Sequence, residues 1–205
     1  MAGVDKGLLI VISGPSGVGK GTLCRVLAEA DPNLVQTTSL TTRLPRQGEK
    51  DGADYIFVDE NRFNELIKQG AFLEWAKVHD NYYGTSAAEV EELQRGKYDV
   101  IIEIDVQGGA QIRARAADVI SIFILPPSME ELWQRLVGRG TDSAEAMQRR
   151  FANARSELRE VWNYDYIVVN DDVSRAVKEI EGIMLAEKNR VERNKKFLTD
   201  FLEKR

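Results

Sequence analysis

A glycine-rich turn that carries a lysine is the first chemistry the chain offers. Residues Gly14-Pro15-Ser16-Gly17-Val18-Gly19-Lys20-Gly21-Thr22 follow an apolar run, Leu8 to Ile12, and lead into a helical pattern. Glycines lack Cβ, so they accept positive φ and let several backbone N–H groups crowd one polyphosphate. Lys20 supplies a charged head for the outer phosphates, and the helix beyond aims the positive end of its dipole at the same anion. The spacing Gly14-x-x-x-x-Gly19-Lys20, between a strand and a helix, meets the Walker A pattern of a phosphate-binding loop. An ordinary glycine turn accounts for two of the glycines but not for a lysine at this offset. The hydroxyl that usually follows the lysine and binds magnesium is absent, because Gly21 stands there and Thr22 comes one place later. Magnesium is therefore expected to be held mainly by nucleotide phosphates and water, with its protein ligands unknown.

A pair of carboxylates is the second feature. Val100-Ile-Ile-Glu103-Ile-Asp105 ends an apolar run on two acids, and in a parallel sheet that end faces the crevice of the phosphate loop. Alternation puts Glu103 and Asp105 on one side, within reach of a base, a ribose or a hydrated magnesium. An acidic strand end facing water is the plainer reading, but Glu103 lies inside the apolar run, where an unpaired charge is costly. Arginines form the third feature. Arg43 and Arg46 flank Pro45, two guanidinium forks suited to one phosphate. Arg135 and Arg139 are spaced i,i+4, and Arg149, Arg150, Arg155 and Arg159 follow, the last two expected to pair at the surface with Glu157 and Glu160. His79, the only histidine, reads as a loop residue, and a single histidine excludes histidine-rich metal sites.

These groups need a scaffold, and the chain carries the pattern of one. It has 205 residues, of which 43% are hydrophobic and 30% charged, as in a water-soluble globular domain. A net charge of −5 argues against a general nucleic-acid binder. No apolar stretch is long enough for a membrane span or a signal segment, and the one cysteine, Cys24, reads as a small buried hydrophobe, so a cytoplasmic protein is expected. Nearly continuous apolar runs at 100–104, 119–125 and 166–169 follow Leu8 to Ile12 and suit strands buried on both faces. Helix-period spacing over 20–30, 107–117, 128–138 and 173–190 alternates with them, with Ser128 as a candidate cap. That alternation predicts a three-layer α/β fold built on a parallel sheet.

Two stretches break the rhythm. Residues 36–95 suggest an inserted lobe, with short strands at 55–58 and 72–78 and a helix over 62–68. Residues 138–160, with glycines on both sides of Arg139, a cap at Asp142 and an arginine-rich helix, suggest a movable lid. The core would then comprise 1–35, 96–137 and 161–205. Beyond Glu187 the chain becomes strongly charged and then places Phe197, Leu198, Phe201 and Leu202 at helical spacing. A solvated helix docking its last apolar face is expected, with a contact between copies in a homo-oligomer or polyanion binding as the alternatives.

Taken in order, Ser39-Leu-Thr-Thr-Arg43-Leu-Pro-Arg46, Gly52-Ala-Asp-Tyr55, Phe72-Leu-Glu74-Trp75-Ala, Asn81-Tyr-Tyr83-Gly-Thr85, Glu103-Ile-Asp105-Val-Gln-Gly108, Gly138-Arg139-Gly140-Thr and Val168-Val-Asn170-Asp-Asp172 resemble the guanylate kinase family. The resemblance covers nearly the whole chain and implies ATP + GMP ⇌ ADP + GDP with magnesium. It implies that Arg43, Arg46, Tyr55 and Tyr83 hold the GMP phosphate and that Ser39, Glu74, Thr85 and Asp105 read guanine, with Glu103 beside them. Lys20, Arg135, Arg139 and Arg150, with Arg43, would stabilise the transferred phosphoryl group, and Asn170 would lie near the adenine of ATP. Gly21 and Thr85 stand where the family commonly has serine. The alternatives are an inactive guanylate-kinase-like binding module, a kinase for another nucleoside monophosphate, and a GTPase switch, for which no Asn-Lys-x-Asp motif occurs.

Overall fold

The first strand explains how the core is layered. In β1 (Leu9–Ser13) every residue is buried, and successive side chains point to opposite faces of the sheet. Ile10 and Ile12, with Leu8 before them, enter one apolar cluster, while Leu9 and Val11 enter another. The structure is a computed structural model that describes residues 6–46, 48–78, 80–137 and 144–203. The five-stranded sheet runs β2 (Leu34–Gln36), β7 (Asp99–Glu103), β1, β8 (Val119–Leu125), β9 (Tyr166–Val169), with all neighbours parallel. One face is covered by α1 (Lys20–Ala30), α5 (Met129–Val137) and α7 (Val173–Lys188), the other by α3 (Ala87–Arg95) and α4 (Val106–Arg115). This is the expected three-layer α/β architecture.

The remaining strands form a second, mixed sheet ordered β4 (Ile56–Phe57), β3 (Leu40–Thr41), β6 (Asn81–Ser86), β5 (Phe72–Val78). Its own small core stacks Phe63 of α2 (Glu60–Lys68) on Phe72 and Tyr82, at ring separations of 4.5 and 5.4 Å. Helix α2 begins on Asp59, whose carboxylate accepts the Arg62 N–H. Helix α6 (Ala144–Glu157) and a 3₁₀ stretch, Leu158–Asn163, return the chain to β9.

Several boundaries differ from the sequence reading. β7 starts one residue early and ends at Glu103, and β4 keeps only two of four expected residues. Strands β2, β3 and β6 and helix α3 had no apolar run to announce them. The expected docking of the C-terminal apolar face does not occur. Helix α8 (Lys195–Glu203) has no buried residue, and Phe201 and Leu202 are 65% and 75% exposed. The turn before it is fixed by Arg193, which donates to Asp118 at 2.8 Å. The end of α7 is pinned instead by Lys188 against buried Asp99 at 2.5 Å, whose other oxygen accepts the Leu8 N–H. Among the described residues no helix is long and apolar enough to cross a membrane.

Candidate active site

The loop between β1 and α1 is shaped by its glycines. Gly14, Gly17 and Gly19 have φ of 138°, 90° and 91°, in the left-handed region that other residues avoid. A Cβ on Gly14 would also stand 2.5 Å from the Ile124 carbonyl oxygen, and one on Gly19 2.5 Å from Asn170 Nδ2. Asn170, placed by the resemblance near the adenine, is 4% exposed and braces the loop by donating from Nδ2 to the Val18 carbonyl at 2.7 Å. Pro15 and Val18 are buried, so the loop is packed as well as turned.

Lys20 arches back over this loop, donating from Nζ to the carbonyls of Gly14 and Pro15 at 2.6 and 3.1 Å. Burial lowers its pKa, opposed by the nearby carboxylates of Glu103, Glu157 and Asp105. Helix α6 meets the loop at Ser16. Arg150 Nη2 donates to Ser16 Oγ at 3.1 Å, and Glu157 Oε2 accepts the Ser16 N–H at 3.2 Å. Glu157 thus serves the loop, and the expected surface pairing is corrected: among the described residues no ion pair joins Arg155 or Arg159 to Glu157 or Glu160, and Glu160 accepts from Asn163. Helix α5 packs Leu132 and Leu136 against Gly17, while its Arg135 donates to Glu131 one turn back at 3.0 Å. Arg139, Asp142 and His79 lie outside the described residues.

The acidic pair divides its labour. Glu103 stands at the exposed end of β7, not inside the apolar run, which corrects the sequence expectation; partial burial of its carboxyl raises its pKa against the pull of Lys20. Its carboxylate lies 3.2 Å from where a Cβ on Gly21 would be. Asp105 is the N-cap of α4, its carboxylate accepting the Gly108 N–H at 2.8 Å. Lys20, Ser39, Tyr55, Glu103 and Asp105 share one cleft of about 290 Å³. The structure therefore brings the phosphate loop, the acidic strand end and the second sheet to one opening.

Glu74 lies deeper. It is 4% exposed, and its Oε1 accepts the Thr85 hydroxyl at 2.7 Å. Burial pushes its carboxyl up to about 7; the Thr85 hydrogen bond opposes this and Asp105 adds to it. A β-bulge explains its orientation. Phe72 pairs with Ser86 and Glu74 with Thr85, so Leu73 is an extra residue in β5. Phe72 and Trp75 turn into the core of the second sheet, Leu73 packs on the α4 side, and Glu74 Oε2 comes within 3.0 Å of a Cβ position on Gly108 of α4. In an unbulged strand Glu74 would share the face of Phe72.

At the rim, Arg43 grips Glu49 with both terminal nitrogens, at 3.0 and 2.9 Å, and its guanidinium lies 5.2 Å from the Tyr55 ring centroid. That pairing and the neighbouring Tyr83 hydroxyl raise the pKa of Arg43. Arg46 contributes its backbone N–H to the same Glu49, at 2.7 Å, while its side chain is exposed. Tyr55 and Tyr83 meet edge to face at 6.1 Å.

Against known proteins, a family model described as guanylate kinase matches residues 6–187. The chain is 52% identical to a guanylate kinase of Caldanaerobacter subterraneus subsp. tengcongensis, covering 93% of this chain and 92% of that one. It is 45% identical to one from Clostridioides difficile, covering 96% of each. The solved structure of guanylate kinase from Anaplasma phagocytophilum superposes with a TM-score of 0.76 at 35% identity, over 92% of this chain and 90% of that one. The chain belongs to the guanylate kinase family. The guanylate kinase match takes in both sheets and ends within α7, leaving α8 outside it. Sequence reasoning missed Glu49, Gln111, Arg115 and the loop contact of Glu157. An acid three residues past Arg46 was the hint of the first, and the others depend on contacts across long stretches of chain.

Proposed function

We propose that the chain transfers the γ-phosphoryl group of ATP to GMP, reversibly, giving ADP and GDP. The observation that carries this reading is one cleft lined by Lys20 of a phosphate loop and by Ser39 and Tyr55, which stand immediately before β3 and β4 of the second sheet. Two nucleotides entering from the loop and from the second sheet would meet phosphate to phosphate. In this reading residues 36–95 are the GMP lobe, 138–160 the lid, and the remainder the core.

ATP would lay its phosphates on the loop amides and Lys20, with Asn170 stiffening the loop and Arg150 reaching it from α6. Arg43, Arg46, Tyr55 and Tyr83 would take the GMP phosphate, which requires Arg43 to exchange Glu49 for the ligand. Glu74, ionised, would accept the guanine N1–H and 2-amino hydrogens, with Ser39, Thr85 and Asp105 around it. Adenine offers no such donor pair, and a buried acceptor left unpaired rejects the wrong base. A GMP phosphate oxygen then attacks the γ-phosphorus in line as the bond to the ADP oxygen breaks. The phosphate is its own nucleophile, so catalysis is alignment and charge neutralisation by Lys20, Arg135, Arg139 and Arg150.

The family generally uses magnesium, and the residues fit a cation that arrives on the nucleotide. Among the described residues no cluster of three or more ligating side chains forms a resident metal site. The hard oxygens of Glu103, one of which lies 3.2 Å from where a Cβ on Gly21 would be, suit the water shell of such an ion. When bound, magnesium would offset the charge of the β- and γ-phosphoryl oxygens. The lone thiol, buried and with its pKa raised, suits a reducing cytoplasm.

A coupled ADP-release assay with ATP and magnesium, presenting GMP, AMP, CMP and UMP in turn, tests the reading. Turnover with GMP far above the others is expected. Equal turnover of all four, or none in folded protein, would overturn it.

A further inference from the structure

The bulge that aims Glu74 is clamped from outside its own sheet. Arg115, in the last turn of α4, donates from Nη1 to the carbonyl of Phe72 at 3.1 Å and to that of Leu73 at 2.9 Å. These are the two backbone acceptors on either side of the extra residue. One turn earlier on the same helix, Gln111 brackets the backbone of Trp75. Its Oε1 accepts the Trp75 N–H at 3.3 Å and its Nε2 donates to the Trp75 carbonyl at 2.8 Å. β5 is an edge strand, so its outward backbone groups have no partner strand, and α4 side chains take that place around Glu74. The same helix begins on Asp105 and carries Gly108, which faces the Glu74 carboxylate.

Resting on the proposed reading of Glu74, we infer that Arg115 and Gln111 are positioning residues for base recognition: they hold the Leu73 bulge in the register that turns Glu74 toward the cleft. Neither touches a reacting group. A classical strand would need no such clamp, because its ladder fixes alternate side chains by itself; a bulge interrupts the ladder and leaves the orientation to other contacts. Charge gives Arg115 a second effect. The groups acting on the Glu74 carboxylate are Asp105 at the head of α4, the Thr85 hydroxyl and backbone N–H from β6 and the guanidinium of Arg115, and only Arg115 is cationic. Losing it both loosens the strand and makes ionisation of Glu74 harder.

Arg115→Met keeps the aliphatic stem and removes the donors; Gln111→Leu removes the second bracket. Both are compared with the wild type in steady-state kinetics with GMP and ATP varied separately. Arg115→Met is expected to raise KM for GMP about three- to tenfold, with KM for ATP within about twofold. It should also move the acidic limb of kcat/KM for GMP to higher pH by about a few tenths of a pH unit, because the cation that favours the ionised carboxylate is gone. Gln111→Leu should raise KM for GMP with the limb in place, and Arg115→Lys should restore most of the limb. An unchanged KM for GMP in both variants, or an equal rise in KM for ATP, would overturn the inference. A wild type without GMP turnover would overturn the functional reading itself, a result distinguishable from normal wild-type turnover with indifferent variants.

Discussion

The phosphate loop and the Glu74 pocket handle the two ends of the proposed reaction and are built in opposite ways. The loop is contiguous: nine residues, 14–22, supply amides, turns and Lys20, and its conformation follows from three glycines with positive φ. The pocket is assembled from distant segments. Glu74 sits on a bulge in β5, Thr85 on β6, and Asp105 and Gly108 at the head of α4. In the proposed reading the loop would bind through backbone groups that any polyphosphate satisfies, and the pocket would rely on one buried carboxylate whose ionisation and direction both matter. Affinity for phosphate would then be local in sequence, and choice of base a tertiary property.

Substitutions that fall on one side only would break or sharpen this contrast. The largest effect is expected for Lys20→Ala, which should lower kcat by about 10³-fold while leaving GMP binding, measured by calorimetry, nearly unchanged. Next comes Glu74→Gln, which presents an amide to the guanine donors. It should cost about 10²-fold in kcat/KM for GMP and leave KM for ATP within about twofold. The pH dependence follows. If guanine is read by ionised Glu74, as proposed, a carboxyl pushed up to about 7 makes kcat/KM for GMP rise with pH through that region and level off above it. At pH 6 about a tenth of the plateau is expected, and the limb should vanish in Glu74→Gln. The smallest effect is Gly108→Ala, whose Cβ would stand 2.1 Å from Ile104 Cδ1 and 3.0 Å from Glu74 Oε2. Ile104 can yield at a cost of about 1–2 kcal/mol in thermal stability, with KM for GMP raised several-fold and KM for ATP unmoved.

The same contrast governs what could be read from the chain. Strands buried on both faces announce themselves as apolar runs, so β8 and β9 match their expected residues, as does α1 after the loop. The lobe was less legible because its strands are short or polar: β3 has two residues, and β6 reads Asn-Tyr-Tyr-Gly-Thr-Ser. Glu103 looked buried because its neighbours are apolar, yet β7 ends there and the side chain emerges into the cleft. Glu157 was read as a surface acid and Glu49 was not singled out, and each is drawn to a site group by folding, to the Ser16 amide and to Arg43. The bulge left no trace at all, since an extra residue in a strand is defined by its partner across 11 positions of chain.

The division of labour is tested most directly by a competition assay, in which GMP and isotopically labelled AMP are offered together with unlabelled ATP, and the ratio of GDP to the labelled ADP formed from AMP is followed in wild type, Lys20→Ala and Glu74→Gln. Lys20→Ala is expected to be slow but to keep the wild-type preference for GMP, whereas Glu74→Gln should lose about 10²-fold of that preference. A preference that falls as far in Lys20→Ala as in Glu74→Gln, or that survives intact in Glu74→Gln, would contradict the assignment of base choice to the bulged strand.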